Sequence, residues 1–143
     1  MIKMAGTAWQ ARLLTPMHRL WPTAFAGGDQ PMAWVATRQG GALVGRPQGR
    51  VDESNWNAFS NDLVAAITAA AANGLPFVVD LTEVPYMSSR GLRALSTGLA
   101  TAKKADVVMR LAAPGTAMRE ILAISRYDKL FAVFDSVEAA VGA

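Results

Sequence analysis

Asp80-Leu81-Thr82-Glu83-Val84-Pro85-Tyr86-Met87-Ser88-Ser89-Arg90-Gly91-Leu92-Arg93-Ala94-Leu95 is the stretch on which the fold turns. Phe77-Val78-Val79 leads into it as an unbroken apolar run, so Phe77 to Leu81 reads as a buried strand. Downstream, Leu92, Leu95 and Leu99 recur at steps of three and four, the period of an amphipathic helix. Between them lies a loop closed by Pro85, with two adjacent serines at the helix entrance. A serine hydroxyl at that position accepts from the free backbone N–H groups of the first turn. Those N–H groups and the helix dipole also make the position hospitable to a phosphate. Ser88 and Ser89 therefore have two readings, as helix caps and as a modifiable pair.

Upstream of the strand, Asp52 opens a segment in which Trp56, Phe59, Leu63, Ile67 and Ala70 repeat at helical steps. Asp52 is a plausible N-cap for this helix, and Asn73-Gly74 is a suitable end. Further back, Met32–Arg38 and Ala42–Pro47 flank Gly40-Gly41 and read as a hairpin. Pro47 lacks a backbone donor, so the second strand should end at an edge or irregularly.

Beyond the central helix, which reads as Ser89 to Lys104, Asp106–Leu111 is a short apolar strand. Ala113-Pro114-Gly115 is a loop, and Thr116 can cap a third helix carrying Met118, Ile121, Leu122 and Ser125. Phe131–Phe134 is a last short strand. Asp135-Ser136-Val137-Glu138 looks like a cap with Glu three residues on, opening a final helix through Val141. The order β-β-α-β-α-β-α-β-α predicts an α/β fold: a mixed, mostly parallel sheet of four to five strands with about four helices packed on it. A helix crossover makes the Phe77 strand parallel to the one before it.

The chain has 143 residues, 52% of them hydrophobic, which suits one domain with a substantial core. No apolar run approaches the ~20 residues of a membrane helix. There is no Cys, which excludes disulfides, thiolate metal sites and Cys nucleophiles and fits a cytoplasmic location. The net charge is +3. Lys3, Arg12 and Arg19 against Asp29 place +2 of it in residues 1–31, leaving the remainder nearly neutral. No basic stripe interleaves with aromatics, so nucleic acid is not an expected partner.

Catalysis is not expected. The one histidine, His18, lies in the N-terminal stretch, and no Gly-x-Ser-x-Gly elbow or glycine-rich phosphate loop is present. One His and no Cys give no metal-ligand pattern. Asp80, at a strand end, is expected to accept backbone hydrogen bonds from its own loop. Arg90 and Arg93, on the first turn of the central helix, read either as a solvated face or as partner-facing groups. Residues 1–31 contain Pro16, Pro22, Gly27, Gly28 and Pro31 and read as an irregular, at least partly mobile arm. They are faintly like a targeting sequence without a secretory apolar core. The alternatives are an extension upstream of a natural start at Met32, or an arm that packs on a partner.

A strand ending in Asp-Leu, a short loop, then Ser-Ser-x-Gly-Leu-Arg-x-Leu resembles the STAS domain of bacterial anti-sigma factor antagonists. Gly49-Arg50-Val51-Asp52 is similar to that family's Gly-x-Leu-Asp signature at the entrance to its first helix. The resemblance covers roughly residues 32 to 141, so residues 32–143 are expected to form a STAS domain behind the arm of residues 1–31. It implies a protein-binding switch that docks onto an anti-sigma factor serine kinase when unphosphorylated. By position against Gly91-Leu92, Ser89 is the serine that the kinase modifies. Ser88 stands where many members carry Asp, and Arg90 where Ser or Ala is usual. The implied partner-binding set is Asp52, Met87, Ser88, Ser89, Arg90 and Arg93, with Asp52 close to the phosphoserine loop. ATP would belong to the kinase, so no cofactor and no small-molecule substrate are expected of this chain. STAS-like domains also serve as constitutive scaffold subunits of transport or signalling complexes, or as small-ligand modules. In the scaffold case Ser88 and Ser89 would be caps and contacts only.

Overall fold

The computed structural model describes residues 31–143, so the arm read over residues 1–31 lies outside the described residues except for Pro31. Five strands form one sheet in the order β1-β2-β3-β4-β5. They are β1 (Ala33–Gln39), β2 (Ala42–Gln48), β3 (Phe77–Asp80), β4 (Met109–Ala112) and β5 (Val133–Phe134). β1 and β2 are an antiparallel hairpin, and every later pairing is parallel. Five helices connect and cover the strands: α1 (Trp56–Asn73), α2 (Ser89–Lys104), α3 (Thr116–Ile124), α4 (Tyr127–Leu130) and α5 (Val137–Gly142). The mixed, mostly parallel sheet expected from the alternation is the one observed.

The strands divide their side chains between two apolar layers, as period-2 alternation requires. Trp34, Leu43, Phe77, Val79 and Leu111 face α1, α2 and α3, where they meet Phe59, Leu63, Ile67, Leu95, Met118 and Leu122. Val44, Val78 and Ala112 face the other way, under Ala140 and Val137 of α5. β3 is buried on all four residues, the signature of a central parallel strand covered on both faces. Arg110 on β4 donates from Nη1 to the Ala140 carbonyl at 3.1 Å and so fastens the last turn of α5 to the sheet.

Several boundaries differ from the sequence reading, each for a local reason. Asp52 does not cap α1: the N-cap is Asn55, and α1 begins at Trp56. Asp52 instead caps the turn before the helix, with its Oδ1 accepting from the Ser54 N–H at 3.0 Å and the Ser54 hydroxyl at 2.6 Å. β4 starts at Met109, because Asp106 sits at φ 59° in a turn that ends α2. Thr116 lies inside α3 and Gly115 occupies the cap position, without a side-chain bond. Tyr127–Leu130, read as a connection, forms the short helix α4, entered through Arg126 at φ 65°. The last strand shrinks to two residues. Ser136 is the cap of α5, accepting from the Ala139 N–H at 3.0 Å, which puts Glu138 two residues from the cap and not three. At Pro47, where the sequence predicts an edge or an irregular end, β2 stays regular against β1, with Pro47 opposite Trp34, and is an edge only toward β3, with which it pairs over Leu43–Gly45.

The hairpin approaches the core closely at Gly45. A Cβ there would stand 2.6 Å from Trp34 Cζ2 and 3.1 Å from Phe77 Cε1. Trp34 lies edge-on to Phe59 at 6.4 Å between centroids, so the indole has no room to retreat. Gly45→Ala is expected to destabilise the domain by about 1–3 kcal/mol through overpacking. Urea unfolding of the two proteins checks this, and an unchanged midpoint would contradict it.

Candidate functional site

The loops leaving β2 and β3 meet at the carboxyl end of the parallel strands, where α/β sheets place their functional groups. Two backbone bonds join them. Val51 N–H donates to the Tyr86 carbonyl at 3.0 Å, and Ser88 N–H donates to the Val51 carbonyl at 2.8 Å. This pair forms an isolated parallel bridge between Val51 and Met87. The Gly49 N–H adds a third tie, to the Glu83 carbonyl at 2.9 Å. Below the bridge, Asp80 is 7% exposed and accepts from the N–H of Thr82 at 2.9 Å and from its hydroxyl. Asp80 thus shapes its own loop.

The bridge separates the two serines. Ser88 is the N-cap of α2, with Oγ accepting from the Gly91 N–H at 3.4 Å and its carbonyl from the Leu92 N–H at 2.9 Å. It is 8% exposed. Ser89, the first residue of α2, is exposed, and its hydroxyl has no hydrogen-bond partner among the described residues. Met87, grouped by sequence with the partner-facing residues, is 2% exposed. It packs beneath α2, where a Cβ on Gly91 would stand 2.4 Å from Met87 Cγ and 2.8 Å from Val51 Cγ1. Met87 and Ser88 therefore hold the helix start in place from below, and neither is offered to solvent.

Asp52, Ser89, Arg90 and Arg93 remain at the surface around this point. Arg90 Nε lies 2.9 Å from Glu53 Oε1, and its guanidinium stands 5.3 Å from the centre of the Trp56 ring. Arg50 lies 3.7 Å from Asp52 and stacks at 4.5 Å over Tyr86. Arg93, one helical turn beyond Ser89, pairs with no carboxylate among the described residues. Sequence reasoning missed Glu53, Trp56 and Arg50 as members of this patch. Their contacts to Arg90 and Tyr86 cross some 35 residues of chain, a separation at which no local pattern reports contact.

The patch combines charged groups with the Trp56 and Tyr86 rings. A groove of about 460 Å³ beside it, between Thr82–Pro85 and Gly115–Met118, lacks any inward-pointing titratable cluster. No group of three or more His, Cys, Asp or Glu able to hold a metal ion occurs among the described residues. No helix among them is long and apolar enough to cross a membrane.

Two expectations follow from these contacts. Gly91→Ala should cost about 1–3 kcal/mol, because the helix start must lift off Met87 and Val51 to admit a methyl group. Met87→Ala in the same chain should recover part of that loss in a double-mutant unfolding cycle, and purely additive effects would exclude the steric explanation. The Asp52 carboxyl is held below the ordinary 3.8, first by the Ser54 hydroxyl, then by the Ser54 N–H and Arg50. A depressed carboxylate stabilises the turn above its unfolded-state pKa, and that contribution fades as the pH falls through the folded value. An NMR titration of Asp52 should inflect below 3.8, with the 50–55 turn unchanged from neutral pH down to that region. An inflection at or above the ordinary value would remove the Ser54 bonds from the account.

Known structures share this arrangement of strands and helices. An anti-sigma factor antagonist from Mycobacterium paratuberculosis superposes with a TM-score of 0.62 at 24% identity, over 78% of this chain and 95% of its own. An anti-sigma-factor antagonist (STAS) domain protein from Planctomyces limnophilus gives 0.65 at 18% identity, over 76% and 94%. The Bacillus cell fate determinant SpoIIAA in its phosphorylated form gives 0.54 at 18% identity, over 77% and 97%. No curated protein matches the sequence. The sequence model of the STAS domain matches residues 33–140, most of the described structure, and the chain belongs to the STAS domain family.

Proposed function

We propose that this chain is an anti-sigma factor antagonist: a protein-binding switch that docks onto an anti-sigma factor serine kinase and is released by phosphorylation of Ser89. The observation that carries the reading is the unequal placement of the two serines. Ser88 is buried as a cap, while Ser89 presents a free hydroxyl at the start of α2. Structural neighbours described as anti-sigma factor antagonists, and a neighbour solved in phosphorylated form, support it. The docking surface comprises Ser89, Arg90, Arg93 and the Asp52 turn, with Met87 and Ser88 acting from beneath. The function is binding, without chemistry performed by this chain.

Charge accounts for the release. A phosphate adds about −1.5 to −2 charges at neutral pH. On the free protein it stays in water beside the first amides of α2, where negative charge is favoured. In a complex it must be desolvated next to Asp52 and Glu53, and an unpaired charge in an interface costs about 2–5 kcal/mol. Docking is therefore lost while the fold persists.

The test is intact-mass analysis after incubation with ATP and an anti-sigma serine kinase from the same cells. One phosphate is expected on the wild type and on Ser88→Ala, and none on Ser89→Ala. Ser89→Asp should weaken kinase binding by at least about tenfold, in line with a desolvated charge. Stable kinase binding with no phosphate on any variant would replace this reading with that of a constitutive scaffold, and a phosphate on Ser88 would overturn the assignment to Ser89.

A further inference from the structure

Three arginines stand around the start of α2, and two of them are already answered. Arg50 lies 3.7 Å from Asp52 and stacks over Tyr86. Arg90 lies 2.9 Å from Glu53 and 5.3 Å from the centre of the Trp56 ring. Arg93 has neither an acidic nor an aromatic partner among the described residues. Its own helix cannot supply one. α2 contains no Asp or Glu, and the positions one turn from Arg93 are Ser89, Arg90, Ser96 and Thr97. An exposed, unpaired cation thus sits one turn beyond an exposed serine.

Helix geometry brings the two together. Residues four apart are turned about 40° from each other and are surface neighbours, about 5–6 Å between Cβ atoms. Helical side chains lean toward the N-terminus, so the reach of Arg93 covers the turn that holds Ser89. An anion first and a cation four residues later is also the favoured order for such a pair. A serine hydroxyl gives a guanidinium little to hold. A phosphate gives it three strong acceptor oxygens, which Arg grips in bidentate fashion. Arg90 is less suited, because adjacent residues do not face each other on a helix and Glu53 already holds it.

We propose that a phosphate on Ser89 is captured by Arg93 within α2, and that Arg93 is the contact through which the unmodified surface takes an acidic side chain of its partner. Phosphorylation then acts twice. It brings a charge that the interface must desolvate, and it occupies the cation that the partner's carboxylate needs. The proposal rests on Ser89 being the modified serine. The partner's chemistry follows from the charges: Arg50 and Arg90 are answered within the domain, so Arg93 is the group left to recognise an anion.

Full-length protein with phosphoserine installed at position 89 during translation, and no kinase involved, tests the capture. The second ionisation of phosphoserine falls near pH 6. Followed by phosphorus NMR, it should lie lower in the wild type than in Arg93→Gln by about 0.3 pH units, the scale of a helical ion pair. The other charges near the phosphate, Arg50, Asp52, Glu53 and Arg90, are the same in both proteins. The Arg93 Hε resonance should move downfield on phosphorylation. Equal ionisation in the two proteins, or an Arg93 resonance that ignores the phosphate, overturns the capture. The docking half is read with the anti-sigma serine kinase. Arg93→Gln should weaken binding of the unmodified protein by at least about tenfold, and phosphoserine at 89 should add less to that loss than it does in the wild type. Full binding by Arg93→Gln, or strictly additive losses, overturns the docking role. A wild type that the kinase neither binds nor modifies removes the Ser89 switch and the docking role with it, while the capture is decided by the phosphorus titration alone.

Discussion

The local structure around Ser89 depends on two backbone hydrogen bonds through one residue. Val51 donates to Tyr86 and accepts from Ser88, which locks the loop after β2 to the loop after β3. Backbone bonds of this kind are obligatory once the groups are buried, so the bridge is fixed by solvation as much as by attraction. Its consequences run outward. Val51 and Met87, both fully enclosed, form the floor on which Gly91 rests. Ser88 is drawn inward, its N–H donating to Val51, its carbonyl accepting from the Leu92 N–H and its Oγ accepting from the Gly91 N–H. The next residue along the helix is turned away by about 100° and must face solvent. The different fates of two identical side chains thus follow from one bridge.

The charged groups above this floor have a different role. Exposed ion pairs such as Arg90–Glu53 contribute little to stability. What the pair does is fix a shape: the Arg90 guanidinium is held between a carboxylate and the Trp56 ring, so the first turn of α2 and the entrance of α1 present one surface. Glu53 and Trp56 both lie beside Arg90. Arg93 is left without an acidic partner among the described residues, which makes it the cation on this surface whose charge is not already answered.

The fold was legible where apolar periodicity is strong. Leu92, Leu95 and Leu99 located α2 at its observed limits of Ser89–Lys104, and Phe59, Leu63, Ile67 and Ala70 gave the buried face of α1. Legibility failed where a backbone choice rather than a side-chain pattern decides. Asp52 and Thr116 are good capping residues by type, yet Asn55 and Gly115 hold the cap positions, because the turns before these helices set where each begins. Arg126 and Asp106 adopt left-handed conformations that sequence rarely announces for such residues. For the site, the Ser-Ser pair and its neighbours were visible as a motif, but their division into buried and exposed was not. That division rests on Val51, some 37 residues earlier in the chain.

The same geometry separates the residues that hold α2 in place from those at its exposed first turn. The residues that hold α2 to the sheet, Leu92, Ala94 and Leu95, are buried, while Ser89 and Arg93 are exposed. The cap that stabilises its first turn belongs to Ser88, which a modification at Ser89 leaves untouched. A charge added at Ser89 would thus meet water and the positive end of a helix dipole, and would disturb neither core layer. For a surface that covers α2, the same charge must be stripped of water within reach of Asp52 and Glu53. On the proposed reading, tolerance by the domain and rejection by a partner would be two results of one placement, a hydroxyl in the first turn of a helix whose cap is supplied by its neighbour.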